Sequence, residues 1–318
     1  MADTRYRMTL LSAGPLLLDG GGMFGIIPRV VWTRFATPDD RNRIALRHNC
    51  LLLEEIEPAA TPRRIVIETG TGDKLDAKMR AIFGLDDTTI ETALAGAGAA
   101  PETITDIIVS HLHFDHAGGL TRRAREGETA DWDAGPMSGD ARAVKLTFPN
   151  ARIHIQKQEW EDALAQRSVM TRTYYADHLE PLRDHLELCD APAPFPHAHL
   201  PDKTDLPPLS MDMREREILP GVFVFRVPGH TWGQQAVRFT DEGGRQIVFT
   251  PDVMPTAWHL GAAYSLAYDV EPYTSMLSKR WLLHEAAERG WILHLDHEPG
   301  NPLQTVSREG DWFALKGA

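Results

Sequence analysis

The chain has 318 residues, 42% hydrophobic and 25% charged, ordinary globular proportions with length for one large domain or two of roughly 150 residues. Lys and Arg number 33 against 45 Asp and Glu, a formal net charge of -12 that repels a polyanion and argues against nucleic acid as a partner. The two cysteines, Cys50 and Cys189, form no C-x-x-C pair, which excludes a disulfide framework and a cysteine-based zinc finger.

In chain order, the apolar run over residues 8–18 is interrupted by Gly14 and Pro15. It lacks the features of a signal peptide and predicts strand-turn-strand. No window reaches the ~18 uninterrupted apolar residues of a membrane span, so no membrane partner and a cytoplasmic location are expected. Short strands are predicted over residues 8–12, 50–54 and 64–68. Helices follow over 73–83, with Leu75, Met79 and Ile82 on one face, and over 88–97 behind capping threonines. A buried-type strand over 105–110 then leads into a histidine cluster. Residues 121–143 read as a loop or insertion, 152–156 as a strand, 157–166 as a helix and 174–189 as a longer helical stretch. The six prolines of residues 191–208 forbid helix and predict an irregular, extended insertion, either a cover or a linker. Strands return over 222–227, 235–240 and 246–250, then a helix over 272–289 and a final strand over 291–295. Strands then helices, twice over, predict two α/β halves packed as one domain spanning 1–318.

Residues 111–116 read H-L-H-F-D-H, four potential metal ligands within six positions. In extended backbone, residues two apart share a side, so His111 and His113 can grip one cation. Asp115 and His116 then face a second where the chain turns. Gly118 and Gly119 are expected to supply backbone angles closed to other residues. Imidazoles suit zinc and iron, and carboxylates extend the choice to manganese. Further ligands must come from elsewhere, and three candidates stand at predicted strand ends. They are His230 in P-G-H-T-W-G, Asp252 in V-F-T-P-D and His297 in D-H-E-P.

The motifs H-L-H-F-D-H-A-G-G and P-G-H-T-x-G, the strand-end aspartate and D-H-E-P together resemble the metallo-β-lactamase-fold hydrolase superfamily, over about residues 45–300. The resemblance implies a four-layer αββα sandwich of two mixed β-sheets flanked by helices, with metals in a cleft at the sheet edges. It implies that His111, His113 and His230 bind a first divalent ion, that Asp115, His116 and His297 bind a second, and that Asp252 bridges both. Zinc is the expected metal, with manganese or iron as alternatives. Two such ions about 3.5–4 Å apart lower the pKa of a shared water, giving a bridging hydroxide that attacks the substrate. Asp115 would orient that nucleophile or relay a proton to the leaving group.

The β-lactamases of this fold commonly carry Arg in place of His116 and Cys in place of Asp252, which disfavours antibiotic hydrolysis. The motifs look most like the branch of acyl-homoserine lactonases and organophosphate-cleaving hydrolases. That implies cleavage of a small ester, lactone or related bond, in a small-molecule substrate. Lactonases of this type place a tyrosine three residues past the bridging aspartate. Pro255 stands there, leaving Tyr264 or Tyr268 as candidate replacements. The alternatives within the superfamily are a mononuclear iron enzyme of sulfur oxidation, a di-iron enzyme with a flavin partner, and a phosphodiesterase. A non-catalytic metal-binding protein is a further one.

His259 reads either as a pocket-lining proton donor or as an exposed loop histidine. Residues 18–25, with Ile26, Ile27 and Trp32, form an apolar loop over the cleft, a homodimer contact or part of the core. His197 and His199 have the spacing of a metal pair, without other ligands near them in sequence. Cys50 reads as a small buried hydrophobe, and Cys189 as the partly exposed end of a helical segment.

Overall fold

A computed structural model describes residues 4–56, 62–134, 143–170, 173–195 and 210–318. The N-terminal half runs β1 (Tyr6–Asp19), α1 (Gly20–Phe24), α2 (Arg29–Trp32), β2 (Arg43–Glu55), β3 (Arg64–Ile67), α3 (Ala77–Phe83), α4 (Ile90–Gly96), β4 (Asp106–Ile108) and α5 (Phe114–Ala117). Next come three short strands, β5 (Thr121–Arg123), β6 (Trp132–Asp133) and β7 (Ala143–Leu146). They precede β8 (Arg152–Gln156), α6 (Lys157–Leu164), α7 (Ala176–Leu179) and β9 (Leu186–Cys189). The C-terminal half runs α8 (Met211–Arg214), β10 (Arg216–Leu219), β11 (Val222–Arg226), β12 (Gln235–Thr240), β13 (Gln246–Thr250), α9 (Pro272–Arg289), β14 (Ile292–Leu295), β15 (Leu303–Glu309) and β16 (Trp312–Gly317).

One sheet has the order β1-β2-β3-β4-β8-β9 and the other β10-β11-β12-β13-β14-β15-β16. In the first, β1 to β3 pair antiparallel and β3, β4, β8 and β9 parallel. In the second only β13 and β14 are parallel, with α9 as their crossover.

Side-chain alternation along the strands explains why these sheets stack. Leu51, Leu53, Ile65 and Ile67 share one buried cluster with Val222, Val224, Val237, Phe239, Ile247 and Phe249 of the facing sheet. Their neighbours one residue away turn the other way. Cys50, Leu52 and Val66 pack against Ile90 and Leu94 of α4 and Trp160 and Ala163 of α6. Ala236, Val248 and Leu293 pack against Leu277, Leu282 and Ala286 of α9. The result is helix, sheet, sheet, helix, the αββα sandwich expected. Burying one such aliphatic side chain is worth about 1.5–3 kcal/mol, so the alternation strongly fixes which face each strand presents.

Several expectations are corrected. Residues 6–19 form one strand of 14 residues rather than strand-turn-strand. Its register with β2 shifts between Ser12 and Pro15, and Gly14 takes a φ of 108° there, so the interruption makes a bulge and not a turn. The stretch over 174–189 is not one helix: after α7 the chain makes a 3₁₀ turn, Glu180–His185, and then joins the first sheet as β9. Pro181 removes a helical donor in that turn, and parallel pairing with β8 decides the rest. Cys189 therefore ends a strand, and it is half-buried.

The stretch over 121–143 is not all loop: it holds β5 and β6 and runs into β7, which together form the small sheet β5-β7-β6, and β14 is followed by the hairpin β15–β16 that completes the second sheet. Residues 20–24 are a helix, capped by Asp19 accepting from the Gly22 amide at 2.9 Å. Phe24 and Trp32 are core residues with Leu16 and Ile44, whereas Ile26 is exposed. His197, His199 and most of the proline-rich stretch lie outside the described residues.

Candidate metal centre

The chain leaves the first sheet after β4, and two buried carboxylates take over from the ladder. The Ser110 amide donates to Glu68 Oε1 at 2.6 Å and the Leu112 amide to Glu159 Oε1 at 3.0 Å. Residues 110–113 are thereby held so that His111 and His113 converge, their ring centroids 4.6 Å apart. The His113 carbonyl accepts from the amides of His116 and Ala117, opening α5. Asp115 and His116 thus sit on a helical turn. Gly118 and Gly119 are needed for a different reason from the one expected. Neither has positive φ, but a Cβ on them would lie 2.1 Å from Thr71 O and 2.2 Å from Thr69 O. The segment before α3 packs directly onto their backbone.

His230 follows β11 behind Gly229, whose φ is 135° and whose missing Cβ would lie 2.2 Å from the Ser275 amide nitrogen. Asp252 and His297 follow β13 and β14, the adjacent parallel pair, which carries both to the same end of the sheet.

Two groups of buried side chains result. His111, His113, His230 and Asp252 form one, and His116, Asp252, Asp296 and His297 the other, the ligating atoms of each lying within 4.8 Å of one another. Asp252 belongs to both. Its Oδ2 lies 3.0 Å from His230 Nε2 and 3.7 Å from His116 Nε2, and its Oδ1 lies 3.5 Å from His297 Nε2. His230 Nε2 is 2.9 Å from His113 Nδ1, and His116 Nε2 is 3.2 Å from His297 Nε2. Asp115 faces the second group, 3.9 Å from His116 Nε2 and 3.7 Å from His297 Nε2. All seven residues expected from the motifs are therefore brought together.

The far nitrogen of four of these rings is also engaged. Nδ1 of His230 meets Asp269 Oδ1 at 2.9 Å, that of His297 meets Arg47 O at 2.8 Å, and that of His111 meets Ser110 Oγ at 3.0 Å. His116 Nδ1 lies 3.3 Å from Glu68 Oε2. Such partners fix ring orientation and leave the other nitrogen for a ligand.

Electrostatics follow from burial of so many ionisable groups. Burial, reinforced by the neighbouring imidazoles, holds His111 and His113 well below the ordinary histidine range. Burial also opposes charge on His116, His230 and His297. There the nearby carboxylates win, raising all three, His230 to about 10. Asp252 stays well below the usual range despite burial, because His230 lies beside it. Burial pushes Asp296 up to about 8.

His111 Nε2 and Asp252 Oδ1 are buried atoms with no hydrogen-bond partner among the described residues. Unsatisfied nitrogen and oxygen lone pairs converging with imidazoles and carboxylates are a donor set that fits zinc, iron or manganese. A divalent cation would take the place of the protons that the raised histidines otherwise hold.

A cavity of about 290 Å³ opens onto this cluster, with His113, Asp115, His230, Asp252 and His297 at its floor and Met23, Ile82, Phe83, Phe114 and Met170 among its apolar walls. Tyr268 lines it. A Cβ on Gly22 would fall 1.9 Å from the Tyr268 hydroxyl, so that glycine makes the seat for it. Tyr264 does not line the cavity and packs edge-on to Phe24 with ring centroids 6.4 Å apart. His259 is neither a pocket group nor an exposed one. It is fully buried, stacked on Phe24, with Nδ1 2.8 Å from Thr256 Oγ1 and Nε2 2.8 Å from Met23 O.

Four carboxylates of the centre escape the sequence reading: Glu68, Glu159, Asp269 and Asp296. Asp296 had a signal, its place beside His297 in D-H-E-P. Asp269 follows Tyr268. Glu68 and Glu159 look like a strand end and a surface helix position, and only the fold turns them inward.

Comparison with known proteins agrees with this arrangement. The model of the metallo-beta-lactamase superfamily matches residues 44–287. No curated protein matches the chain. Among solved structures, a probable metal-dependent hydrolase from Staphylococcus aureus is 22% identical with a TM-score of 0.74, covering 100% of this chain and 99% of that one. The dizinc quorum-quenching lactonase AidC, in complex with a homoserine product, is 17% identical with a TM-score of 0.69 and coverage of 100% and 99%. The hydrolase AbOPH is 15% identical with a TM-score of 0.66 and coverage of 100% and 98%. At these identities the solved structures speak for the fold, whereas the family model spans most of the chain and includes every motif but the last. This chain belongs to the metallo-β-lactamase superfamily.

Proposed function

We propose that the protein is a metal-dependent hydrolase with a two-cation centre, and that it cleaves a small ester, lactone or related bond. The observation that carries this reading is Asp252, one carboxylate shared by two clusters of buried ligands. His111, His113 and His230 would hold one cation and Asp115, His116 and His297 the other, with Asp252 common to both. Bound divalent cations would supply Lewis acidity and lower the pKa of water from ~15.7 towards neutrality.

The chain's own residues do the rest. Asp115 stands at the cavity floor within reach of two imidazoles, where its carboxylate can accept a proton and pass it to a leaving group. Burial raises the Tyr268 hydroxyl above its ordinary pKa, so it stays protonated and can donate a hydrogen bond to a substrate oxygen. The apolar walls favour an acyl or aromatic substrate and exclude water around it. The lactonase neighbour supports testing lactones first.

The test joins metal content to turnover. Wild-type protein should hold about two divalent ions per chain and hydrolyse members of a panel of lactones and activated esters. Chelation should abolish that turnover, and Asp252→Ala should lose both the metal and the activity. Retention of two ions by Asp252→Ala would remove its bridging role. One iron per chain with oxygen-dependent turnover would replace hydrolysis by oxidation.

A further inference from the structure

The first ligand cluster is assembled from opposite halves of the molecule. His111 and His113 come from the loop after β4 in one sheet, and His230 from the loop after β11 in the other. One side chain touches both loops. Glu159, in the first turn of α6, is fully buried. Its Oε1 accepts the Leu112 amide at 3.0 Å and the Tyr174 hydroxyl at 3.2 Å, and its Oε2 accepts the Thr231 hydroxyl at 2.5 Å. Leu112 lies between two of the ligands, Thr231 directly follows the third, and the Tyr174 ring packs 5.2 Å from the His113 imidazole. Gly233 permits this approach, since a Cβ there would fall 2.3 Å from the Glu159 amide nitrogen.

These three partners are neutral donors. A buried carboxylate bonded only to neutral donors is costly compared with an apolar or amide side chain of the same size. Filling volume does not require it, whereas accepting three hydrogen bonds that converge from three segments does. Glu68 differs, since it takes the Ser110 amide and faces His116 within one half.

We propose that Glu159 is a positioning residue that sets the separation of the two ligand loops, so that His111, His113 and His230 are already gathered before a cation arrives. The proposal rests on the metal-centre reading above. Glu159→Gln keeps the shape but offers an N–H₂ group where three donors converge. Thr231→Val keeps the carboxylate and removes one bond.

The experiment is a zinc titration of full-length protein stripped by chelator, read by competition with a chromophoric chelator. Cobalt spectra would report on the two positions separately. Wild type should take up two equivalents. In Glu159→Gln the equivalent held by His111, His113 and His230 should weaken about 10–100-fold, as losses of ligand-orienting partners do. The other equivalent should be unchanged, and Thr231→Val should show a smaller loss at the same position. Unaltered affinities in both variants, with only a lower melting temperature, would mean that Glu159 is a structural residue and overturn the proposal. If Glu159→Gln does not fold, Thr231→Val decides by the same criterion. Wild-type protein that binds no zinc overturns the metal-centre reading along with this one. Two equivalents in wild type and equally in both variants overturn this one alone.

Discussion

Tyr268 lines the same cavity as Asp115 and Asp252, although it stands 16 residues past Asp252 in the chain. Of the two candidates for the tyrosine that the family resemblance places at position 255, Tyr268 lines the cavity and Tyr264 does not. Tyr268→Phe should lower kcat for a lactone or ester by about 100-fold, the scale of losing one donor to a developing oxyanion. Metal content and melting temperature should stay as in wild type. An unchanged kcat in steady-state assays would leave Tyr268 as a wall residue only. The candidate ligands themselves were legible because four of them occupy residues 111–116, a density that ordinary surface chemistry does not produce. Their partners were not. Glu68 and Asp269 meet His116 and His230 across 48 and 39 positions of sequence, distances over which one chain carries no local signal.

Element identity was legible where turn-forming glycines and prolines bound a segment on both sides. Strands β12 and β13 and helix α9 have the bounds expected of them. It failed where pairing partners decide, as in β9, β15 and β16, whose edge and hairpin positions are set by strands elsewhere in the fold. Helix α3 also begins later than expected, with Asp76 accepting the Met79 amide at 2.7 Å as its cap. Its last turn is tied down by Arg43, which donates to the carbonyls of Ala81 and Ile82 and pairs with Asp39. Because Ile82 and Phe83 line the cavity, the cap should matter for substrate. Asp76→Ala should cost about 1 kcal/mol in denaturant unfolding and raise KM with little change in kcat. A raised KM without loss of stability would point to a direct contact and against the cap.

Over the whole molecule, buried histidines with no carboxylate in hydrogen-bond contact govern part of the response to pH. Burial holds His259 and His294 down to about 3 from the ordinary 6.5, so both are neutral in the fold. Above 6.5 neither the folded nor the unfolded chain protonates them. Between 6.5 and about 3 the unfolded chain binds protons that the fold refuses, so stability falls as pH falls, by up to ~1.4 kcal/mol per unit for each histidine. Unfolding free energy measured from pH 7.5 down to 5 should show this slope. His259→Asn should flatten it by about one proton at the same metal loading. A slope unaffected by that substitution would mean that His259 is accessible to protons in the folded state.

By itself the sequence determined the candidate ligands, the alternating strands and the acidic net charge, because each of these is a local pattern or a count. Tertiary structure alone decided that Glu159 and Glu68 grip the loop carrying His111 and His113, and that Gly118 and Gly119 serve close approach instead of unusual backbone angles. It also decided that Tyr268 lines the cavity, while Tyr264 and His259 are consumed by packing. The physical reason is the same in each case. Local patterns constrain which face a side chain presents to its own strand or helix, but the distance between two faces exists only once both sheets are packed.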